Sequence, residues 1–329
     1  MSFFPLFLGF LLSAFLSALA LKFFPKWGLL DTPERYGHIR GRLPYPFGIV
    51  FVLSVLLGII FTAEMNTKMY GFLGASTLLA ITSLLDDKYR IAPKIRLGVQ
   101  ALCAAMVVYS GIYIAFLTNP LADNAFSLGI ILGGVLTGIW ILSLINTSNW
   151  IDGIPNLSLS SSALAALVLA FLSLSDRVGQ PEVANMCFVF VGAALPLLAI
   201  NIFTERYILG DTGAMFAGFC IAIFSLFAGG KLATALIVMA LPILDAAYVI
   251  FDRIRSGVSP AQGGDKRHLH DILLKKGWGK NKILLFFFSI SAVLGISALF
   301  LGTGAKILLL CVVTACFLVF RGKQGEKKR

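Results

Sequence analysis

The chain has 329 residues, of which 58% are hydrophobic and only 13% are charged, and its mean hydropathy is +0.90. A soluble domain carries about twice that share of charged residues, so this composition excludes an ordinary soluble protein and predicts an integral membrane protein. The net charge of +11 would suit nucleic acid in a soluble protein, whereas in a membrane protein it indicates topology and anionic lipid. We therefore predict the lipid bilayer as a partner and no nucleic acid.

Eleven apolar runs are each long enough to cross the hydrocarbon core, which is about 30 Å thick. In chain order they lie at 3–24, 46–63, 69–85, 97–117, 127–146, 158–174, 183–200, 209–229, 232–251, 283–301 and 305–320. The predicted fold class is all-α, a polytopic membrane protein with about eleven transmembrane helices, ten being the alternative count. The first run lacks a basic flank and a cleavage site, so it predicts a retained span. The five cysteines lie in apolar runs without CxxC spacing, which predicts neither a disulfide nor a metal role.

The distribution of Lys and Arg predicts the orientation. With the N-terminus outside, the inward loops and the tail from residue 321 hold all but four of the 27 basic residues, as the positive-inside rule requires. The four exceptions are Lys68, Arg177, Lys231 and Lys306. This predicts a cytoplasmic C-terminus in the cell inner (plasma) membrane, and a single domain, 1–329. Its active-site loops would be the cytoplasmic segments 22–45, 86–96, 147–157, 201–211 and 252–282.

Nearly all the polar clusters fall on the predicted cytoplasmic side. A transport pathway would be expected to leave polar residues in mid-span, and only Asp245 is a candidate for that. The pattern favours a membrane enzyme that faces the cytoplasm over a transporter.

Two clusters carry adjacent or regularly spaced polar groups. Asp86 and Asp87 end the third run; solvated carboxylates at a helix end are the alternative, although the helix dipole disfavours anions there. In NTSNWIDGIPNL, Asn146, Asn149 and Asp152 recur every three residues along one side of a helix end. Their donor and acceptor groups would suit a nucleobase or a sugar amide, and a polar helix end followed by a turn is the alternative.

Two further clusters indicate an anion or metal site. In LGDTG, Asp211 lies between small residues before the eighth run, where a helix N-terminus favours an anion or a metal-bridged phosphate; an ordinary N-cap is the alternative. His268 and His270 form an HxH motif beside Lys266 and Arg267. Phosphate binding suits this basic setting better than zinc, which needs further ligands, and an ordinary basic loop is the alternative.

Together the clusters offer carboxylates for Mg²⁺ and cations for phosphate. The chain has no GxxxxGK[ST] or GxGxxG motif, so a P-loop or Rossmann nucleotide site is not indicated. Phosphoryl-group chemistry on a diphosphate substrate is the simplest use of these groups.

The motifs DTPERxxH, LDD, NxxNxxDG, GDxG and RHLH occur in that order between about residues 29 and 276. In this order the chain resembles the polyprenyl-phosphate N-acetylhexosamine-1-phosphate transferases, the MraY/WecA/TagO superfamily, and its HLH loop is most similar to the WecA/TagO branch. The resemblance implies transfer of a sugar-1-phosphate from a UDP-N-acetylhexosamine, UDP-N-acetylglucosamine first among them, to undecaprenyl phosphate. UMP would be released, Mg²⁺ would be required with Mn²⁺ as an alternative, and a lipid-linked cell-envelope glycan would be started.

The resemblance also implies roles for individual residues. Asp86, Asp87, Asp152 and Asp211 would be catalytic, with Asp87 and Asp211 as metal ligands and Asp86 on the lipid-phosphate side. The substrate-binding set would be Asn149, Asn201, Lys94, Arg96, His268 and His270, with Arg96 in a place usually held by lysine. A homodimer is compatible with the family.

Two departures from the family pattern leave an alternative open. Pro155 stands where the family commonly has a second acid, and PYPFGI replaces PxPxGG. The alternative function is that of a family member that has lost catalysis and serves as a transporter or scaffold for lipid-linked sugars. Separately, the alternative mechanism to direct displacement is a covalent aspartyl intermediate.

Overall fold

The structure is a computed structural model that describes residues 3–33, 41–118, 125–227, 231–259 and 266–325. Within these ranges it contains thirteen helices and two short strands. The helices are α1 (Phe4–Phe23), α2 (Gly48–Thr62), α3 (Thr67–Tyr89), α4 (Pro93–Tyr109), α5 (Gly129–Ile151), α6 (Leu157–Leu174), α7 (Pro181–Thr204), α8 (Gly210–Leu226), α9 (Leu232–Val238), α10 (Ala240–Arg255), α11 (Leu269–Lys275), α12 (Lys280–Phe300) and α13 (Thr303–Gly325). The strands β1 (Phe116–Thr118) and β2 (Ala125–Ser127) pair antiparallel, with Leu117 opposite Phe126.

The helices confirm a polytopic, all-α membrane protein. In the part of the chain that the structure describes, seven helices are long and apolar enough to cross a membrane, or eight when α9 and α10 count as one bent span. Two more, α2 and α8, are apolar but shorter, at 15 and 17 residues. Large apolar side chains stay exposed on outer helix faces, as on α5 at Ile130, Ile131 and Val135, which suits contact with lipid.

Each predicted apolar run contains a helix, and the largest differences from the prediction are the following. Helix α3 continues past residue 85 to Tyr89, so the two aspartates lie in its last turn. Helix α4 ends at Tyr109, and the remainder of its predicted run leads into the unpredicted hairpin of β1 and β2. The ninth run bends by 76° at Met239 between α9 and α10. The predicted loop 252–282 contains α11.

Helix α8 is the centre of the bundle. Every residue from Thr212 to Leu226 is buried, and a helix that is apolar on all sides is expected to be surrounded by others. Its first turn carries Asp211, so the central helix presents this carboxylate at one end of the bundle.

Glycines allow the closest helix contacts. A Cβ atom on Gly9 of α1 would lie 2.3 Å from the carbonyl oxygen of Val189, and one on Gly192 of α7 would lie 2.0 Å from the carbonyl oxygen of Leu6. Small residues let backbones approach in this way in membrane bundles. Helices α1 and α7 therefore pack backbone to backbone.

Candidate active site

The predicted clusters meet around one cavity of about 1980 Å³ at the end of the bundle where α8 begins. The predicted residues that line it are Asp87, Arg96, Asn149, Asp152, Asn201, Asp211, His268 and His270. Apolar side chains of α1 and α2 line the same cavity, among them Leu16, Leu19, Phe23, Ile49 and Leu53. The cavity therefore combines a charged region with an apolar one, as a ligand with a polar head and a hydrocarbon tail would require.

The carboxylate of Asp87 accepts hydrogen bonds from the first residues of α8. Its Oδ1 accepts hydrogen bonds from the Tyr45 hydroxyl at 2.7 Å and from the backbone nitrogen of Asp211 at 2.8 Å. Its Oδ2 accepts from the backbone nitrogen and the hydroxyl of Thr212, at 3.1 Å and 2.6 Å. A carboxylate at a helix N-terminus is stabilised by the free amides and the helix dipole. Asp87 thus connects the last turn of α3 to the first turn of α8.

Gly210 makes this contact feasible. Its φ is +78°, and a Cβ there would lie 2.9 Å from both the Asp87 Oδ2 and a ring carbon of Tyr45. Only glycine adopts this backbone conformation without strain and leaves that space. The small residues of the GDTG motif therefore serve close packing around Asp87.

Asp86, Arg96 and Asp211 form a chain of ion pairs. One nitrogen of Arg96, Nη1, lies 2.8 Å from Asp86 Oδ2 and 3.2 Å from Asp211 Oδ2. The Asp86 side chain is only 5% exposed and that of Asp211 is 38% exposed. Asp86 also accepts from the backbone nitrogen of Ile91 at 2.6 Å and does not line the cavity. Asp86 thus holds Arg96 from the side away from the cavity, whereas Asp211 lines the cavity. This position of Asp86 differs from the predicted one on the lipid-phosphate side.

The adjacent aspartates therefore have different partners, as expected for residues 100° apart on a helix. Asp86 faces Arg96, and Asp87 faces α8. The catalytic role of Asp86 and the metal role of Asp87 stay predictions, and the contacts of both residues are with the protein itself.

Asn149 and Asp152 complete the carboxylate region. Asn149 lies in the last turn of α5, close to the side chain of Asp211. Asp152 caps the end of α5. Burial raises the pKa of Asp152 well above its usual range, and the nearby carboxylates of Asp211 and Asp87 raise it further. A cation or a hydrogen-bond donor brought into this region would relieve that repulsion.

The two histidines stack in parallel. The His268 and His270 rings lie 5.6 Å apart at an interplanar angle of 7°, and Trp150 lies 6.0 Å from the His268 ring. His268 has an extended backbone just before α11, and His270 lies in its first turn. The HxH spacing at the start of α11 therefore places the two rings parallel to each other.

The histidine region contacts Gly153, in the turn that follows α5. A Cβ on Gly153 would lie 2.4 Å from His270 Nε2, so a glycine is required at that contact. Burial lowers the pKa of His270 below its usual value, with Asp271 opposing the shift. His270 is consequently a neutral ring at physiological pH.

Asn201 makes its hydrogen bonds within the protein. Its Nδ2 donates to the carbonyl oxygen of Tyr207 at 3.1 Å, and its Oδ1 accepts from the backbone nitrogen of Tyr207 at 3.3 Å. The Tyr207 ring stacks on Phe47 with centroids 4.3 Å apart. Asn201 thus shapes the segment before α8, and its predicted contact with substrate stays a prediction.

Basic residues surround the cavity in a different set from the predicted one. Lys94 is exposed and lies outside the lining, so its predicted substrate contact has no support in the geometry. The basic side chains in the lining, besides Arg96, are Lys88, Arg90, Arg253, Lys266, Lys275 and Lys280. Asp31 and Thr32 of the first motif line the cavity as well, and residues 34–40 of that motif lie outside the described residues.

Three residues of the site were missed in the sequence. Tyr45 and Thr212 bind Asp87, and Asp245 on α10 binds His268, with Asp245 Oδ2 2.9 Å from His268 Nδ1. Thr212 follows Asp211 directly and was detectable as part of the GDT motif. No local signal relates Tyr45 or Asp245 to their partners, which lie 42 and 23 residues away in the chain.

The donor set suits a hard divalent cation. Asp211 presents an accessible carboxylate, with Asn149 and Asp152 beside it. Among the described residues no group of three His, Cys, Asp or Glu side chains forms a complete metal site. Mg²⁺ in nucleotide enzymes is held by one or two carboxylates together with substrate phosphates. The oxygen donors here fit that arrangement.

Comparison with known proteins tests the family resemblance that the sequence motifs predict. The family model described as glycosyl transferase family 4 matches residues 69–229, which contain the LDD, NxxNxxDG and GDxG motifs. The predicted family resemblance is confirmed. A probable undecaprenyl-phosphate N-acetylglucosaminyl 1-phosphate transferase of Bacillus subtilis is 27% identical over 84% of this chain and 78% of its own.

Two enterobacterial proteins are similar to the chain over a comparable length. Both carry the name undecaprenyl-phosphate alpha-N-acetylglucosaminyl 1-phosphate transferase. The one from Escherichia coli K12 is 29% identical over 86% of this chain and 81% of its own, and the one from Yersinia pestis is 28% identical over 82% and 76%. The similarity to these named transferases thus extends beyond the span of the family model to most of the chain.

Proposed function

We propose that the chain is a membrane glycosyl-1-phosphate transferase that moves N-acetylglucosamine-1-phosphate from UDP-N-acetylglucosamine to undecaprenyl phosphate and releases UMP. The observation that carries the proposal is a cavity in which carboxylates, imidazoles and cations meet beside apolar side chains of α1 and α2. The names of the relatives support the same donor and acceptor. The product would start a lipid-linked cell-envelope glycan.

The cavity offers separate regions for the two substrates. Arg96, with Lys266 and Lys275 nearby, would neutralise the diphosphate of the nucleotide sugar, and the two histidines would add hydrogen bonds to the substrate. The apolar region of α1 and α2 would take the first units of the prenyl chain. The phosphate of the lipid would then lie between these regions, near Asp211.

A divalent cation, Mg²⁺ with Mn²⁺ as the alternative, would supply charge stabilisation to the diphosphate when bound. Asp211 would hold it, with Asp152 and Asn149 beside it. Asp87 would join as a ligand only by giving up one of its four hydrogen bonds to Tyr45, Asp211 and Thr212. We therefore place its main role in fixing Asp211.

The reaction would be a direct displacement. An oxygen of the lipid phosphate forms a bond to the β-phosphorus, and the bond from that phosphorus to the bridging oxygen breaks, so UMP leaves with the bridging oxygen. A phosphate monoester has its second pKa near 6 and is largely a dianion at neutral pH, so no strong base is needed. A covalent aspartyl route is less favoured, because Asp86 does not line the cavity and both oxygens of Asp87 accept two hydrogen bonds each.

The topology that goes with this function is eleven spans, with α9 and α10 forming one bent span. The N-terminus would lie outside, and the cavity would face the cytoplasm of the plasma membrane, where UDP-sugars are found. The distribution of Lys and Arg supports this orientation. The oligomeric state, with a homodimer as one option, is independent of the proposal.

The rival reading as a transporter or scaffold is not favoured. Pro155 lines the cavity in place of the second acid, but Asp87, Asp152 and Asp211 all reach the same site. Asp245, the mid-span carboxylate that favoured transport, is held by His268. The carboxylate set that the chemistry needs is therefore in place without the missing acid.

The decisive experiment is UMP release by the purified protein with undecaprenyl phosphate, Mg²⁺ and a panel of UDP-N-acetylhexosamines. Release with UDP-N-acetylglucosamine that stops with EDTA and in Asp211→Asn supports the proposal. No release with any sugar in the panel overturns it. Release with another N-acetylhexosamine alone would keep the reaction and correct the sugar.

A further inference from the structure

Asp245 is a fully buried carboxylate that the proposed reaction does not use. It lies on α10, is 0% exposed and has three polar partners in the described part of the chain. Its Oδ2 lies 2.9 Å from His268 Nδ1, its Oδ1 accepts from the backbone nitrogen of Leu269 at 2.9 Å, and Nη2 of Arg321 lies 3.5 Å from Oδ1. Both of its oxygens therefore have polar partners, as a buried carboxylate requires.

Arg321 brings the last helix into this network. It is 2% exposed, donates to the carbonyl oxygen of Arg267 at 3.0 Å, and lies 4.3 Å from the centre of the Tyr248 ring. Its charge offsets that of Asp245 in a place that water does not reach. Helices α10 and α13 therefore hold the segment before α11 together.

The carboxylate also fixes which nitrogen of His268 carries a proton. An ionised carboxylate only accepts hydrogen bonds, so Nδ1 of His268 must be the donor to Asp245. Nε2 is then the nitrogen left for a ligand in the cavity, which His268 lines. A carboxylate that orients an imidazole in this way sets both its tautomer and its ring direction.

We infer that Asp245 is a positioning residue that holds His268 with Nε2 directed into the cavity as a hydrogen-bond acceptor for a hydroxyl group of the nucleotide sugar, and that Arg321 supports it. The inference rests on the proposed function for the nature of the ligand, but the contact between Asp245 and His268 does not depend on it. Asp245 touches no substrate itself and acts through the imidazole and the first amide of α11.

The test is nitrogen NMR of protein labelled with ¹⁵N-histidine and embedded in lipid bilayers. The chain has only three histidines, and His268→Gln assigns the signals of His268 by their loss. In the wild type the Nδ1 of His268 is expected to be protonated. In Asp245→Asn the amide can donate to Nδ1, so the proton of the neutral ring is expected to move to Nε2, and kcat/KM for UMP release should fall by about 10- to 100-fold.

Asp252→Asn is the matched control. Asp252 lies on the same helix and binds the same segment through Arg267, with Asp252 Oδ2 2.7 Å from Arg267 Nη1, and both side chains are partly exposed. The loss of this exposed ion pair is expected to leave the tautomer of His268 unchanged and activity within about twofold. The control separates a loosened segment from a misdirected imidazole.

Each outcome decides the inference. An unprotonated Nδ1 in the wild type overturns it even when Asp245→Asn does not fold, and so does an unchanged tautomer in a folded Asp245→Asn. A tautomer that depends on Asp245 in a wild type that releases no UMP supports the positioning contact and overturns the proposed reaction instead.

Discussion

The carboxylate of Asp87 lies 2.8 Å from the backbone nitrogen of Asp211, although the two residues are 124 positions apart in the chain. This bond ties the end of α3 to the start of α8, while the Asp211 carboxylate pairs with Arg96 and lies close to Asn149. Two aspartates that both look like metal ligands in the sequence therefore have distinct tasks in the fold. Asp87 builds the turn, and Asp211 faces the cavity.

Replacing these two aspartates by asparagine should separate their tasks. Asp87→Asn places an amide group against the donors of Tyr45 and Thr212, so it should lower the melting temperature, at a cost of about 2–3 kcal/mol, as well as activity. Asp211→Asn should keep the melting temperature and lower UMP release by roughly 100-fold. Thermal unfolding and Mg²⁺ titrations of activity check both. Equal melting temperatures for the two variants would contradict the structural role of Asp87.

Substitution of Gly153 should displace His270 without removing any functional group. In Gly153→Ala the new Cβ would lie 2.4 Å from His270 Nε2, so the imidazole must move. A displacement of this size next to reacting groups is expected to lower kcat/KM by roughly 10- to 100-fold. Gly138→Ala, on α5, has open space for its Cβ and is the control, expected to retain activity. Full activity in Gly153→Ala would show that the position of His270 is unimportant.

Arg96 should tolerate lysine better than glutamine. A single nitrogen, Nη1, makes both of its ion pairs, to Asp86 and Asp211, so one ammonium group can replace both contacts. We expect Arg96→Lys to keep activity within about tenfold, whereas Arg96→Gln leaves the buried Asp86 without a cation and loses roughly 100-fold or more. Steady-state UMP release of the two variants decides the point, and similar losses in both would show that the guanidinium shape matters.

The raised pKa of Asp152 predicts that the stability of the protein depends on pH in the absence of divalent cations. Its pKa is raised in the folded protein by burial and by Asp211 and Asp87. As the pH rises above about 4, the unfolded chain therefore loses this proton first, and the folded state loses stability until its own raised pKa is passed. Asp152→Asn removes this term, so its melting temperature in EDTA should exceed that of the wild type at neutral pH and approach it near pH 4. The same difference in melting temperature between Asp152→Asn and the wild type at both pH values would contradict the prediction.

Much of the fold could be predicted, because hydrophobic length is a strong signal in a membrane protein. Each of the eleven apolar runs contains a helix. The bend at Met239 and the hairpin of β1 and β2 have no such signal, since both lie within or beside runs that are apolar throughout.

The site could be predicted as a set of motifs but not as a set of contacts. The order of the motifs brought Asp152, Asp211 and His268 together correctly. Successive side chains on an α-helix point about 100° apart. Which of Asp86 and Asp87 faces the cavity therefore depends on how far α3 continues, and the motif does not specify this. Lys94 and Arg96 differ for the same reason at the start of α4: one is exposed, and the other meets Asp86.

The glycine contact between α2 and α8 has a mechanical consequence. A Cβ on Gly48 would lie 2.2 Å from the backbone nitrogen of Gly213, and the amide of Gly48 donates to the carbonyl oxygen of Leu209 at 2.7 Å. Through Tyr45 and Asp87 the same unit extends to α3. A displacement of α2, α3 or α8 is thus transmitted to Asp211. The end of the cavity that these three helices form therefore moves as a rigid body.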